Sequence, residues 1–364
     1  MFNKHDFFTD NILSHDEIKQ LWLSVCRTKG IGNALFWKHF QKCKYFKHLA
    51  RTSVAKEIES VQKFNAHLVA AFENNYPKDL YCLNSPPPII TAKGKLDLLS
   101  NPIIGIVGAR NASLPGIKIA FEMSKFLAES GFTIASGLAR GIDKAAHEGA
   151  IQEGSNSYPT IAVLAGGIDQ IYPPEHHTLY DSISRKGVVL SEMPFGQTPI
   201  ASLFPRRNHL IAALSKGLII IEAGLGSGTL ITAEQGISLG KDIFVVPGSI
   251  KDPRHKGSHS LIKNGAILID HPQDILDYYR FIPQKEDLQS FSVNNTPNLR
   301  HSPEKNSSSH EILKYIPETG IALEELYLAI QHMNLSTSEI SNTISNFEFE
   351  GNIHRAQDGK IYLT

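Results

Sequence analysis

Residues 136–147 combine residue types and spacing that could bind an anion. The segment reads Ser-Gly-Leu-Ala-Arg-Gly-Ile-Asp-Lys-Ala-Ala-His, and the apolar run 132–135 before it is typical of a buried strand. A Ser-Gly turn between a strand and a helix presents backbone N–H groups at the positive end of the helix dipole. Arg140 adds a planar guanidinium suited to phosphate. The segment therefore predicts a phosphate-binding turn, without indicating which molecule carries the phosphate.

Asp143 and His147 lie four residues apart in the helix that this turn should begin. The spacing is compatible with an acid–base pair. A carboxylate in the first turn of a helix more commonly caps backbone donors, and a histidine one turn later packs or bonds locally. We favour this structural interpretation and assign no catalytic residue.

Two other segments could contribute to the same site. Residues 105–110 read Gly-Ile-Val-Gly-Ala-Arg, which lacks the third glycine of a dinucleotide fingerprint but leaves Gly108 and Arg110 free to contact phosphate. Residues 204–208 read Phe-Pro-Arg-Arg-Asn, which offers an aromatic ring for base stacking, two cations and an amide. The glycine-rich turn within 222–234 is a further strand-to-helix turn that could hold an anion. The Gly- and Pro-rich composition of residues 166–174 is explained by a tight, rigid loop, without a binding or catalytic role.

Several catalytic and metal-binding patterns are missing from the sequence. It has no Walker lysine motif, no Gly-x-Ser-x-Gly elbow and no cysteine–histidine cluster. We therefore predict that the protein uses no metal and no cofactor, and that its site binds a ligand rather than catalysing a reaction. Hydrophobic residues make up 41% and charged residues 20% of the 364 residues, as in soluble globular proteins. Three scattered cysteines, and no apolar run of membrane-spanning length or secretory pattern, predict a cytoplasmic protein without a membrane partner.

From about residue 100, short apolar runs alternate with amphipathic segments. This alternation predicts an α/β fold: a Rossmann-like, doubly wound, mostly parallel sheet whose loops meet at the carboxyl ends of the strands. The predicted strands are Ile103–Val107, Phe132–Ala135, Ile161–Leu164, Val188–Ser191, Leu218–Ile221 and Ile243–Val246, and the predicted helices are 116–130, 141–153, 175–186, 206–215 and 227–239.

Composition predicts four regions: a helical domain over 1–85, the Rossmann-like domain over 86–280, a polar linker over 281–308 and a small domain over 309–364. The last region shows helical patterning at 309–316, 321–332 and 336–349, then a hairpin with Asp358-Gly359 at its turn. Three helices followed by a hairpin is the order of a winged helix. Residues 302–364 carry 4 Lys/Arg and 9 Asp/Glu, which favours protein contact or weak DNA contact over phosphate clamping.

The N-terminal region contains a basic block within a chain of zero net charge. Residues 27–51 carry seven Lys/Arg and no acid, so they either attract a polyanion or form a solvated helix face. Lys29, Gly30 and Gly32 fall in a turn between predicted helices at 15–26 and 33–50. The turn either binds phosphate or is an ordinary tight turn, and with Lys38 it supplies secondary nucleic-acid-binding candidates.

The central half of the chain resembles the DNA-processing protein A family, also called DprA or Smf. The resemblance rests on seven blocks in the family's order: IVGARNAS, ASGLARGIDKAAHEGAI, IAVLAGGIDQIYPPEH, SEMPFG, FPRRNHLIAALS, IIIEAGLGSGTLITAEQGISLGKDIFVVPGS and GSHSLIKNGA. The flanks also resemble the family's sterile-alpha-motif-like and winged-helix modules. Departures include Ala109 where serine is common, and His209 and His259 where arginine and asparagine are common.

The resemblance implies a recombination mediator that is not an enzyme. Such a protein binds and protects single-stranded DNA, loads the RecA recombinase as in natural transformation, and acts as a homodimer. The resemblance leaves open which of the two adjacent arginines faces DNA. The DNA-binding residues that it implies are Gly108, Arg110, Ser136, Gly137, Arg140, Lys144, Phe204, Arg206, Arg207 and Asn208.

Two alternatives remain at this point. The turn that begins at Glu222, together with Glu234, is weakly similar to the glycine-rich loop and glutamate of nucleotide phosphoribohydrolases, but lacks the Pro-Gly pair that opens that loop. The other alternative is an adaptor in which RecA or another partner binds the winged helix and DNA contacts are secondary.

Overall fold

The structure is a computed structural model that describes residues 14–41, 50, 52–151 and 158–281. In the C-terminal stretch it describes residues 312–317, 319–322, 325–326, 329–330, 340, 343–344, 347, 353–355 and 360–363. The chain divides after Pro283 into two units.

The predicted apolar runs form the middle of a sheet that has nine strands among the described residues. The strands are β1 (His67–Ala70), β2 (Ile89–Gly94), β3 (Ile103–Gly108), β4 (Thr133–Ser136), β5 (Thr160–Val163), β6 (Val188–Ser191), β7 (Gly217–Ile221), β8 (Asp242–Val245) and β9 (Ile267–Leu268). Their order in the sheet is β1-β2-β6-β5-β4-β3-β7-β8-β9, parallel from β6 to β9, with antiparallel pairing of β1 with β2 and of β2 with β6. The chain starts the parallel part at β3, builds outward to β6, and then returns to add β7 on the other side of β3.

Helices cover both faces of this sheet, which confirms the Rossmann-like, doubly wound α/β prediction. The helices described in this unit are α1 (His15–Arg27), α2 (Asn33–Gln41), α3 (Ala55–Lys63), α4 (Leu114–Glu129), α5 (Ile142–Ala150), α6 (His177–Lys186), α7 (Leu203–Leu214), α8 (Gly228–Ser238), α9 (Lys256–Lys263) and α10 (Gln273–Phe281). One face of β3, carrying Ile104 and Ile106, packs in a cluster with residues of α4, α5 and α10, whereas Ile103 and Val107 pack on the opposite side with residues of α7 and α8.

The N-terminal helices belong to the same unit as the sheet. Trp22 and Trp37 share one buried apolar cluster with Ile90 of β2 and Leu190 of β6. Strand β1 pairs with β2, so residues 67–70 join the sheet although the sequence places them in a helical domain. The boundary expected at residue 85 therefore falls inside one packed unit. The local pattern at residues 67–70 is too weak to predict a strand, because a strand's order depends on the strand that pairs with it.

The predicted helix at 33–50 is seen as α2 up to Gln41, and residues 42–49 and 51 of the basic block lie outside the described residues. In the part of the chain that the structure describes, no helix has the length and apolarity needed to cross a bilayer.

The C-terminal unit contains a three-stranded antiparallel sheet of β10 (Ile321–Ala322), β11 (Ile353–Arg355) and β12 (Lys360–Leu363), with β12 in the middle. Pairing of β11 with β12 confirms the predicted hairpin, and its Asp358-Gly359 turn lies outside the described residues. The prediction that a helix begins at Ile321 is wrong, because residues 321–322 pair with residues 360–361 of β12. Most of the predicted linker, from residue 282 onward, also lies outside the described residues.

Candidate functional site

Loops at the carboxyl ends of β3, β4 and β7 surround a crevice of about 390 Å³. Ligands of open α/β sheets bind at this edge, beside the point where the strand order reverses. We call this space the crevice. Its lining residues are Val107, Gly108, Ala109, Arg110, Ala139, Asp143, Arg207, Asn208, Ser227, Gly228, Thr229 and Thr232.

The amino end of α4, which follows β3, is occupied by a carboxylate of the protein itself. Glu222, at the end of β7, is buried and accepts the Ser113 N–H at 2.9 Å and the Ser113 hydroxyl. The Ser113 hydroxyl oxygen in turn accepts the N–H of Gly116 at 3.0 Å. Glu222 has a left-handed backbone (φ 54°), which is uncommon for a residue with a side chain. This helix start is therefore already bound to an anion.

The turn that precedes α5 uses its own donors internally. The Gly137 N–H donates to Asp143 Oδ2 at 3.2 Å, and the Leu138 N–H donates to His147 Nε2 at 3.3 Å. The Ser136 hydroxyl is buried and donates to the Ile106 carbonyl at 2.7 Å. The expectation of unpaired N–H groups in this Ser-Gly turn is wrong, because the side chains of α5 satisfy them. The structural interpretation of Asp143 and His147 is confirmed.

Two histidines fix the residue at the centre of this turn. Leu138 has a left-handed backbone (φ 55°), and its carbonyl oxygen lies 2.9 Å from Nδ1 of buried His176. The Thr160 hydroxyl donates to the Ile134 carbonyl, so it accepts the Nδ1–H of His147 at 2.7 Å and leaves Nε2 of that ring as the acceptor for Leu138. Burial, together with the charge of Arg207, lowers the pKa of His147 to about 3, so the ring stays neutral.

Arg207 is buried beneath the crevice, with 5% of its surface exposed. Its guanidinium donates to the carbonyl of Gly137, to the carbonyl of Val163 at 3.2 Å and to Asn208 Oδ1 at 2.9 Å. A Cβ on Gly137 would lie 1.7 Å from Nη1 of this arginine, so the close approach requires glycine there. Burial raises the pKa of Asp143 and lowers that of Arg207, and the charge of each residue opposes the shift in the other. Arg207 therefore ties together the ends of β4 and β5.

The amino end of α8, which follows β7, remains open. Ser227 caps the helix by accepting the Leu230 N–H at 3.4 Å. Among the described residues, the backbone N–H groups of Gly228 and Thr229 have no acceptor. Both residues line the crevice. Free N–H groups at the positive end of a helix dipole form an anion site.

An aromatic pocket of about 470 Å³ adjoins the crevice. The rings of Tyr172 and Phe204 meet edge to face with centroids 5.7 Å apart, and the Arg110 guanidinium lies 5.0 Å from the Phe204 centroid. Arg110 is exposed, and it lines both the crevice and the aromatic pocket together with Asn208 and Gly228. Gly108, Arg110, Phe204 and Asn208 are thus brought together as predicted.

The other predicted cations lie outside the crevice lining, each paired with a carboxylate. These pairs are Arg140 with Glu175, Lys144 with Glu148 at 3.4 Å, and Arg206 with Glu192 at 3.1 Å. The hydrogen bond to Glu175 raises the pKa of Arg140 and lowers that of its partner.

The secondary candidates do not line the crevice either. Lys29, Gly30 and Lys38 are exposed in the α1–α2 turn and on α2, whereas Gly32 lines a separate cavity that also contains Arg206.

Sequence reasoning missed the roles of Glu222, Tyr172 and His176. The signal for Tyr172 was an aromatic residue in a rigid Gly- and Pro-rich loop at the sheet edge, whereas nothing local marks Glu222 as the partner of a distant helix. Glu234, considered above as a hydrolase residue, is exposed on α8 and lines neither the crevice nor the aromatic pocket. Within the described ranges, no three His, Cys, Asp or Glu side chains are grouped to hold a metal ion.

Two known proteins are similar to this chain in sequence. Protein Smf of Escherichia coli K12 is 38% identical over 237 residues, covering 65% of this chain and 63% of the relative. DNA processing protein DprA of Streptococcus pneumoniae is 41% identical over 220 residues, covering 60% of this chain and 76% of the relative.

Two solved structures are similar. That of DNA processing protein A from Streptococcus pneumoniae covers 71% of this chain and 92% of its own, with 34% identity and a TM-score of 0.60. A structure that concerns the single-stranded DNA binding mode of DNA processing protein A from Helicobacter pylori covers 59% of this chain and 95% of its own, with 29% identity and a TM-score of 0.54. The sequence model of one family, the DNA recombination-mediator protein A family, matches residues 67–280, from β1 to α10. The chain belongs to the DNA recombination-mediator protein A family.

Proposed function

We propose that the crevice and the aromatic pocket bind one strand of single-stranded DNA. A phosphate contacts the N–H groups of Gly228 and Thr229 and the guanidinium of Arg110, and a base stacks on Phe204 and Tyr172. The observation that carries the proposal is that an open helix start and an aromatic pair share the same lining residues, Arg110 among them. Proteins that bind single strands commonly combine cationic side chains along the nucleic-acid backbone with aromatic rings on which any base can stack.

The aromatic pocket favours a single strand over a duplex. Tyr172 is 45% exposed, so a ring face is available to a base that has left its stack. In a duplex the bases are stacked and paired with each other, and they would have to be extracted at a cost in free energy. The Helicobacter pylori relative, whose structure concerns a single-stranded DNA binding mode, supports the same substrate for this chain.

The crevice offers little for catalysis. Among the described residues that line it, Asp143 is the one carboxylate, and it is buried and bonded to the Gly137 N–H. A buried carboxylate that already holds the loop is poorly placed to activate water. We therefore propose binding, not hydrolysis, as the activity of this site.

The wider role is proposed from family membership. In the cytoplasm, a homodimer of this protein would protect incoming single strands and load the RecA recombinase, as in natural transformation. The C-terminal sheet of β10, β11 and β12 would belong to a winged-helix module that contacts protein. Deleting residues 302–364 and measuring both RecA binding and DNA binding separates the roles of the two units: RecA binding should fall and DNA binding should remain.

Substitutions of Arg110 and Phe204 test the DNA site. Arg110→Ala should weaken binding of an oligo-dT strand about tenfold, and it should reduce the slope of log affinity against log salt by about 0.7, as expected for one lost single-strand phosphate contact. Phe204→Ala should cost about 1–3 kcal/mol of stacking and leave the salt slope unchanged. Fluorescence anisotropy at several salt concentrations measures both quantities. Lys118→Ala, on the exposed surface of α4, is the matched control for removal of a cation. Unchanged affinity and slope in the Arg110 variant would contradict the proposal.

A further inference from the structure

Helix α7 separates two spaces with different lining. Phe204 and Asn208 face the aromatic pocket and the crevice, whereas Arg206, His209 and Leu210 face a cavity of about 670 Å³ on the other side. These two sets lie on opposite faces of a helix, because residues two apart are about 200° apart around its axis. We call this second space the outer cavity. Its other walls come from the start of α2, the segment 82–87 and Glu192.

Glu192 holds the Arg206 guanidinium in a fixed orientation. Arg206 Nε lies 3.1 Å from Oε1, and Nη2 lies 3.1 Å from Oε2 of the same carboxylate. The carboxylate side chain is 7% exposed and also accepts from Asn33 Nδ2 at 3.4 Å, whereas the arginine side chain is 51% exposed. Because an unpaired buried carboxylate is costly, Arg206 stays bound to Glu192. A guanidinium has five N–H donors, so its outer edge can still contact a phosphate.

The outer cavity and the aromatic pocket lie along the same α7–α8 edge. Ile231 of α8 lines the aromatic pocket, and Ser238, two turns later, lines the outer cavity. Between them, Gln235 Nε2 donates to the Pro205 carbonyl at 3.3 Å. Pro205 is exposed, lines the aromatic pocket and directly precedes Arg206. A strand that leaves Phe204 across Pro205 therefore meets Arg206 next.

We propose that the outer cavity is a second nucleotide subsite for the same single strand. The phosphate contacts the outer edge of Arg206, and the base enters beside the polar side chains of Asn84, Ser85 and His209. This inference rests on the proposed function, since it extends the path of the same strand.

The charge of the outer cavity indicates a polymer rather than a free anion. Arg206 is the one arginine or lysine that lines it in the described chain, and Glu192 neutralises that charge. A lone phosphate therefore gains little there. When the strand is already bound in the crevice, its next phosphate is held near Arg206 at a high effective concentration, so this second contact can form although it is weak by itself.

A length series of oligo-dT tests the second subsite. For the wild-type protein, affinity should rise at least about fivefold between strands of about 4 and about 16 nucleotides, a span that covers one to several subsites. Arg206→Ala should remove most of that gain and leave affinity for the shortest strand unchanged. Asn84→Asp, at an exposed wall position, should do the same by repelling phosphate without disturbing a buried group. Arg185→Ala, an exposed arginine at the end of α6, is the control and should retain the gain.

Other outcomes overturn the inference in distinguishable ways. Equal loss for short and long strands in Arg206→Ala and Asn84→Asp would place these residues in the crevice site and exclude a second subsite. An unchanged length dependence in both variants would exclude any contact with the strand. If the wild-type protein bound neither strand, the proposed function itself would fail, and the second subsite with it.

Discussion

Two helices that follow neighbouring strands differ in what occupies their amino ends. Helices α4 and α8 follow the adjacent strands β3 and β7, and each has a serine N-cap, Ser113 and Ser227. At α4, the carboxylate of Glu222 occupies the helix start. At α8, the first N–H groups face the crevice and, within the described residues, have no acceptor.

The difference shows how a Rossmann-like sheet can lose its usual phosphate site without losing its fold. In dinucleotide-binding proteins the pyrophosphate lies at the helix after the first strand. Here the left-handed backbone of Glu222 directs a carboxylate to that place, so a phosphate there would meet a buried negative charge. The helix start with unpartnered N–H groups among the described residues is instead the one after β7, where we propose that a phosphate binds.

Removing the Glu222 carboxylate from the start of α4 should produce the largest effect, a loss of folding stability. Glu222→Ala removes the acceptor of the Ser113 N–H and hydroxyl, and an unsatisfied buried donor should reduce the free energy of unfolding by about 2 kcal/mol. Glu222→Gln keeps an acceptor and should lose less than half of that. Urea titration measures both. If Glu222→Ala were as stable as the wild type, the closed state of α4 would not depend on this carboxylate.

Removing a free N–H group from the start of α8 should produce the next largest effect, a loss of DNA affinity. Gly228→Pro removes one free N–H, and proline is well tolerated at the first position of a helix. A Cβ at Gly228 would meet no atom within 4 Å, so the fold should be preserved. Affinity for oligo-dT should fall about tenfold, the loss of one charge-assisted hydrogen bond.

Leu114→Pro makes the same change at the first position of α4, where Leu114 is 83% exposed. It should leave DNA affinity unchanged, because the Glu222 carboxylate bonded to neighbouring Ser113 would repel a phosphate at that helix start. Equal losses in the two proline variants, measured by anisotropy, would remove the distinction between the helices.

The α5 turn, which is also closed, should show a pH dependence. The pKa of His147 is about 3 in the folded protein, against about 6.5 in an unfolded chain. Between these values the unfolded chain binds the proton and the folded chain does not, so stability falls as the pH drops from about 6.5 towards 3.

His147→Gln removes this titrating group and keeps an acceptor for the Leu138 N–H. The slope of unfolding free energy against pH should become shallower by up to about 1.4 kcal/mol per pH unit, the value for one proton. Urea titrations across this pH range measure the slope. Identical slopes in both proteins would show that His147 does not close the turn as a neutral ring.

The smallest effect should come from freeing Arg140, the exposed cation of that closed turn. Glu175→Gln removes its carboxylate partner and one negative charge near the proposed path of the DNA strand. Because both side chains are exposed, affinity for oligo-dT should rise by no more than about threefold at low salt, and the gain should vanish at high salt. Glu122→Gln, at the exposed Lys118 pair of α4, is the control. A loss of affinity in Glu175→Gln would mean that Glu175 positions Arg140 rather than competing with phosphate for it.

Much of the fold was predictable, because apolar runs and turn residues mark buried parallel strands strongly. The six predicted strands appear with ends shifted by at most one residue. Strand β1 was missed because it is a short edge strand, and β2 was missed because it follows a proline run that signals an extended connection. The prediction of a helix start at Ile321 was wrong because residues 321–322 form a strand, and a two-residue strand is too short to show an alternating pattern.

The candidate site was predictable in part: Gly108, Arg110, Phe204 and Asn208 come together, whereas the predicted cations Arg140, Lys144 and Arg206 lie outside the crevice lining. Helical periodicity places Phe204 and Asn208 on one face, but it cannot show which of two adjacent arginines points into the protein. Burial of Arg207 depends on carbonyl groups from two other strands, which are distant in the sequence. The donors of the Ser-Gly turn were expected to be free, because the side chains that bind them become neighbours only after α5 forms.

The shared core of helices and sheet also gives the molecule an internal optical reporter. Its two tryptophans, Trp22 and Trp37, both lie in the N-terminal helices, with ring centroids 5.7 Å apart. Trp37 Nε1 donates at 2.7 Å to the carbonyl of Pro86, just before β2. Intrinsic fluorescence therefore reports on the junction between the helices and the sheet. Separation of the helices from the sheet would move the emission to longer wavelength even where the sheet kept its circular dichroism.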